Sequence, residues 1–158
     1  AIMHTATLLF LAGLLAGCNP PSTPLTPAGN AFTYETAENY RPDGLGVWRV
    51  QLTDAGMLSL RYSVREHIEP FSPQPLPLET RAELWQRILA CDFPNRPSST
   101  RAGQPGEQLL VFTLFYNGKN HYSKLWAAEA AENPAVRALL DDLTALIKAR
   151  SNRPVQLY

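Results

Sequence analysis

Two stretches of the chain alternate apolar and polar residues with a period of two. In the first, Trp48, Val50 and Leu52 alternate with Arg49, Gln51 and Thr53. Past Asp54-Ala55-Gly56, Leu58, Leu60, Tyr62 and Val64 alternate with Ser59, Arg61 and Ser63. Matching periods on both arms predict an antiparallel hairpin over 46–64 with one buried face, Gly56 supplying the positive φ that such a loop needs. In the second, Leu109–Tyr116 meets Asn117-Gly118, a favoured two-residue turn, and Lys119–Trp126 returns. The near-continuous apolar run LLVFTLFY predicts an interior strand buried on both faces.

A helical period follows each hairpin. Thr80-Arg81-Ala82-Glu83 reads as a capping box, after which Leu84, Ile88 and Cys91 share one face and Pro94 marks the limit of the helix. Farther on, Asn133 reads as a cap and Pro134 as the first helical position. Val136, Leu139, Leu140, Leu143, Leu146 and Ile147 then form a wide apolar stripe, and Lys148 and Arg150 suit the negative end of the dipole. The order ββαββα predicts a two-layer α+β domain, an antiparallel sheet of about four strands with two helices on one face.

The N-terminal stretch has a different character. Ala6–Gly17 (ATLLFLAGLLAG) is apolar throughout but shorter than the about 20 residues that span a bilayer. It reads as the hydrophobic region of a signal peptide. It ends in Leu15-Ala16-Gly17-Cys18, directly before a proline-rich polar stretch, and this motif resembles the lipobox of bacterial lipoproteins. The resemblance implies cleavage between Gly17 and Cys18, a thioether-linked diacylglycerol on Cys18, and a further acyl chain, such as palmitate, on the new amine. Two or three chains make a stable membrane anchor. The sequence departs from that family in its start, where only His4 replaces the usual Lys or Arg and Ala1-Ile2 precede Met3. Asn19 stands where Asp retains many Gram-negative lipoproteins at the inner membrane, so the resemblance implies an outer-membrane address facing the periplasm. The expected organisation is a signal peptide over 1–17, a lipidated cysteine and tether over 18–30, and one domain over 31–158.

Composition narrows the partners. With 14 basic and 14 acidic side chains the formal net charge is zero, so no overall field draws the chain to nucleic acid. Two cysteines are present. Cys18 is accounted for by lipid, and Cys91 reads as a small core residue rather than a reactive thiol. The chain carries no G-x-S-x-G, P-loop, H-E-x-x-H or paired C-x-x-C, so no catalytic residue, metal ligand or cofactor is expected. Glu66-His67-Ile68-Glu69 and His121 read as polar residues near hairpin ends, and Asp141-Asp142 as a solvated acidic pair on the last helix.

What remains is a surface. Arg49, Gln51, Ser59, Arg61, Ser63 and Arg65 are expected together on the sheet face away from the helices, with Tyr122 and Trp126 nearby. Arg49, Arg61, Arg65, Tyr122 and Trp126 are thus the candidate binding residues. In its order of elements, its glycine-containing first turn and its leucine-rich last helix, the domain resembles small bacterial proteinase inhibitors of the emfourin type, though no inhibitory residue can be matched. The leading expectation is a non-enzymatic, membrane-anchored envelope lipoprotein that binds an envelope protein or polymer. An envelope protease inhibitor and an enzyme with an unrecognised site are the alternatives.

Overall fold

The structure is a computed structural model that describes residues 29–37, 46–153 and 155–157. The proposed signal peptide, lipobox and most of the tether lie outside the described residues.

The described residues form an α+β domain on one antiparallel sheet of seven strands. Both expected hairpins are present, as β2 (Val47–Thr53) with β3 (Met57–Val64) and as β6 (Leu109–Tyr116) with β7 (Lys119–Trp126). Gly56 has φ 86°, and Asn117 and Gly118 have φ 49° and 75°, so both turns use the backbone conformations their residues favour. The hairpins do not touch edge to edge. β1 (Ala31–Thr36) lies between them, paired to β2 on one side and β6 on the other, and β4 (His67–Pro70) and β5 (Gln74–Pro75) add short edge strands to β3. The expectation of about four strands is therefore corrected to seven among the described residues, with β1 between the two hairpins.

The alternation decides which face is covered. Phe32, Tyr34, Trp48, Val50, Leu52, Leu58, Leu60, Phe112 and Leu114 are buried in one core with Leu84 and Ile88 of α1 (Leu78–Ala90) and Leu139, Leu143 and Ile147 of α3 (Pro134–Arg150). Phe93, in a single 3₁₀ turn after α1, stacks between Phe32 and Phe112 at centroid distances of 5.9 and 4.9 Å. At the other end Trp48 packs on Tyr62 at 4.8 Å and on Phe71 at 5.9 Å. Tyr34 reaches through this core to donate its hydroxyl to the carbonyl of Leu157, at 3.2 Å, which ties the C-terminal segment to the central strand.

Two local expectations change. Helix α1 begins at Leu78 with Pro77 as its cap, so Thr80 is the third helical residue and no capping box forms. The reason lies upstream: β5 pairs with β3, and the Leu76 amide donates to the carbonyl of Gly56 at 2.8 Å, which delivers the chain in helical position three residues early. Strand β6 is interior but is not buried on both faces. Leu110, Phe112 and Leu114 are buried, whereas Val111, Thr113 and Phe115 remain half-buried because no second layer crosses that side. The last helix is as expected, Asn133 Oδ1 accepting from the Val136 amide at 3.1 Å with Pro134 in the first turn. A short α2 (Ala127–Glu132) precedes it. Among the described residues no helix is long and apolar enough to cross a membrane.

Candidate functional site

The sheet face opposite the helices follows from strand register. Arg61 stands beside Arg49, Arg49 beside Glu35, Glu35 beside Val111 and Val111 beside Lys124, one charged row crossing five strands. The adjoining row is neutral and polar: Ser59, Gln51, Thr33, Thr113 and Tyr122. Because successive side chains on a strand point to opposite faces, the burial of Val50, Leu60 and Phe112 on one side sends these residues to the other.

The candidate residues separate on this surface. Arg49 and Arg61 are register partners on the open face, as expected. Arg49 forms an ion pair with Glu35 at 3.3 Å, both side chains about one-third exposed. Tyr122 is also there, 54 % exposed, with the Lys124 ammonium 5.3 Å from its ring centroid. Arg65 is not on the strand. It sits at φ 53° in the turn between β3 and β4, away from the Arg49–Arg61 pair in register. Trp126 faces the same side of the sheet but is 6 % exposed, so it is not part of an accessible platform.

Trp126 is covered by the loop that leads from the 3₁₀ turn into β6. Its indole N–H donates to the Arg101 carbonyl at 3.1 Å, and the Arg101 guanidinium lies 5.6 Å from its ring centroid. Gly103 lies so close that a Cβ there would sit 2.2 Å from the indole. Arg101 in turn holds both carboxylate oxygens of Glu107 and contacts Glu129 at 3.4 Å. Glu129 also accepts from the Ser99 hydroxyl at 2.8 Å and from the Trp126 amide at 2.9 Å. The hydrogen bond from Arg101 holds the Glu107 carboxyl down at about 2, against the opposing effect of burial. The loop also closes part of the outer edge of β7: Lys124 receives the Ser99 amide on its carbonyl at 2.7 Å and gives its own amide to Ser98 Oγ at 2.9 Å. Sequence reading missed this network, because its members are spread from Ser99 to Glu129. The clustering of Arg, Gly and Glu in a loop directly before a strand was the available signal.

The remaining polar candidates have structural surroundings. Glu69 pairs with Arg153 at 2.7 Å, and Asp142 pairs with Arg87 across α1 and α3 at 3.1 Å, which corrects the reading of that aspartate as merely solvated. Cys91 is buried, donates to the Arg87 carbonyl at 3.3 Å, and has its pKa pushed up to about 11 by burial, with Arg96 opposing. At neutral pH it is a protonated core thiol. Among the described residues no three His, Cys, Asp or Glu side chains come together to hold a metal ion.

Fold and site together define a small α+β protein with helices on one side of its sheet and a polar, charged surface on the other. No protein-family model matches the chain, and no curated protein is significantly similar to it.

Proposed function

We propose that this chain is a lipid-anchored envelope protein that acts as a non-enzymatic binding module through the uncovered face of its sheet. The observation that carries the binding half is the ten-residue surface spanning Ser59 to Tyr122 and Arg61 to Lys124, in which, Val111 apart, polar and charged side chains stand on strands rather than on loops. Side chains on stiff strands lose little freedom on binding, and arginine and tyrosine are favoured at interfaces. The anchoring half rests on Leu15-Ala16-Gly17-Cys18 and its resemblance to a lipobox.

The fold is compatible with a tether at its N-terminus. Asn30 accepts from the Asp54 amide at 2.9 Å and, through Oδ1, from the Asn117 amide at 3.1 Å, so β1 starts at the sheet end that carries both hairpin turns. A tether from Cys18 would turn that end toward the membrane and leave the open face side-on. Residues 19–30 would reach at most ~3.1 Å each where polyproline-like.

Metabolic labelling with a fatty acid tests the anchor. The chain is expected to take up label and fractionate with membranes, and Cys18→Ser to do neither; equal labelling of the variant would remove the lipoprotein reading. The binding half is tested by pull-down of envelope proteins with the Arg49→Glu/Arg61→Glu variant, which is expected to lose captured partners while staying folded, with only the small loss of stability that follows from breaking the exposed Arg49–Glu35 pair. Tight stoichiometric inhibition of an envelope protease by the purified chain would place it among inhibitors instead.

A further inference from the structure

Building on that reading of the open face, we infer that the groove at Arg49 and Arg61 receives a carboxylate side chain from an extended acidic segment of a protein partner. The groove exists because the edge of the sheet is interrupted. β4 pairs with β3 as far as Arg61↔Pro70, the Phe71 amide still donates to the Leu60 carbonyl at 3.0 Å, and β5 resumes at Leu58↔Gln74, so the chain leaves the ladder only at Ser72 and Pro73, beside Ser59. Pro70 and Pro73 bound the resulting depression, of about 450 Å³, and Arg49, Gln51, Ser59 and Arg61 supply its polar lining. Prolines at this rim offer no backbone donors to compete for an anion.

Charge selects the occupant. Arg49 already has Glu35 at 3.3 Å, whereas no carboxylate among the described residues pairs with Arg61. Arg61, Arg49 and Glu35 together carry one net positive charge. That suits a single carboxylate, which a guanidinium fork binds through two parallel hydrogen bonds, and the Glu35 carboxylate disfavours a dianionic phosphate. A second cation, Lys124, stands at the far end of the same row, four strand spacings from Arg61. At about 4.8 Å per spacing the two are ~19 Å apart, which matches roughly six residues of extended chain. Between them the neutral row of Ser59, Gln51, Thr33 and Thr113 offers hydrogen-bonding groups for peptide amides.

The probe is a blocked, dye-labelled peptide of glycine and serine with two glutamates six positions apart, titrated by fluorescence anisotropy against the full chain in detergent. Binding is expected, and replacement of both glutamates by glutamine is expected to abolish it. Arg61→Gln is expected to weaken it roughly tenfold, the scale of one lost charged hydrogen-bonded pair. Glu35→Gln, which releases Arg49 from its internal partner, is expected to tighten it severalfold. Unchanged affinity with Arg61→Gln, or weaker binding with Glu35→Gln, would overturn the inference. Displacement of the peptide by inorganic phosphate, or preferential binding of phosphatidylglycerol vesicles, would assign the groove to phosphate and overturn it equally. The wider reading is tested apart from this one by cross-linking from Thr33 and Thr113, which lie on the open face outside the groove. Adducts there with no dependence on Arg61 would keep the binding module and reject the carboxylate.

Discussion

The two ends of the open sheet face carry similar residues put to opposite uses. At the β6–β7 end, Arg101 is shared between Glu107 and Glu129 and lies against Trp126, so its charge is spent on holding a loop over the sheet. At the β2–β3 end, Arg49 and Arg61 stand side by side with Glu35 paired to Arg49 alone, and nothing among the described residues covers the groove they line. An arginine near an aromatic residue is therefore no indicator of a binding surface by itself. What separates the two ends is whether the folded chain supplies the carboxylates.

The largest consequence lies at the covered end. Trp126→Ala should cost about 3–5 kcal/mol, the range for deleting a large buried aromatic side chain, whereas Tyr122→Ala, on the same strand but exposed, should stay within about 0.5 kcal/mol. Chemical denaturation of both variants checks this, and equal effects would dissolve the distinction between covered and open ends. Next in size, Leu143→Ala should cost about 2–5 kcal/mol and weaken both ends together, because α3 packs into the single core beneath them.

A smaller effect depends on pH. The Glu107 carboxyl ordinarily titrates at 4.5 and is held at about 2 chiefly by its hydrogen bond from Arg101. A depressed carboxyl contributes stability that is complete above its unfolded value and is lost as pH falls through its folded value, so the loop should loosen between about 4.5 and about 2. Trp126 fluorescence should follow that loosening in the native chain and should show no such titration in Glu107→Gln. Smallest of all, Arg61→Glu should change stability by no more than about 0.5 kcal/mol, since Arg61 has no carboxylate partner to lose among the described residues. A larger loss would mean that the open end is also structural.

The parts legible in the sequence were those written in local periodicity. Both hairpins, their turns at Gly56 and Asn117-Gly118, and the cap, stripe and end of α3 follow from neighbours in the chain. Strand β1 has the same period two, with Phe32, Tyr34 and Thr36 inward, but it has six residues and no tight turn joining it to a partner. Its role comes from pairing with β2 and β6, the latter about eighty residues away, which no local pattern encodes. The site divides in the same way. Arg49 and Arg61 were found because alternation forces them outward. Trp126 was misjudged because strand direction says which face a side chain takes and not what later covers it, and Arg65 because one turn residue with positive φ ends the alternation. Glu35 and Lys124 entered the row only when long-range register joined five strands.

The central claim is that partners meet the uncovered sheet face and not the helices. Photo-cross-linking in intact cells tests it most directly, with the reactive side chain placed at Ser59 or Thr113 on the sheet, or at Gln86 on the outer surface of α1. The account predicts discrete adducts from Ser59 and Thr113 that disappear with Arg49→Glu/Arg61→Glu, and none from Gln86. Adducts from Gln86 alone would contradict it and move the functional surface to the groove between α1 and α3.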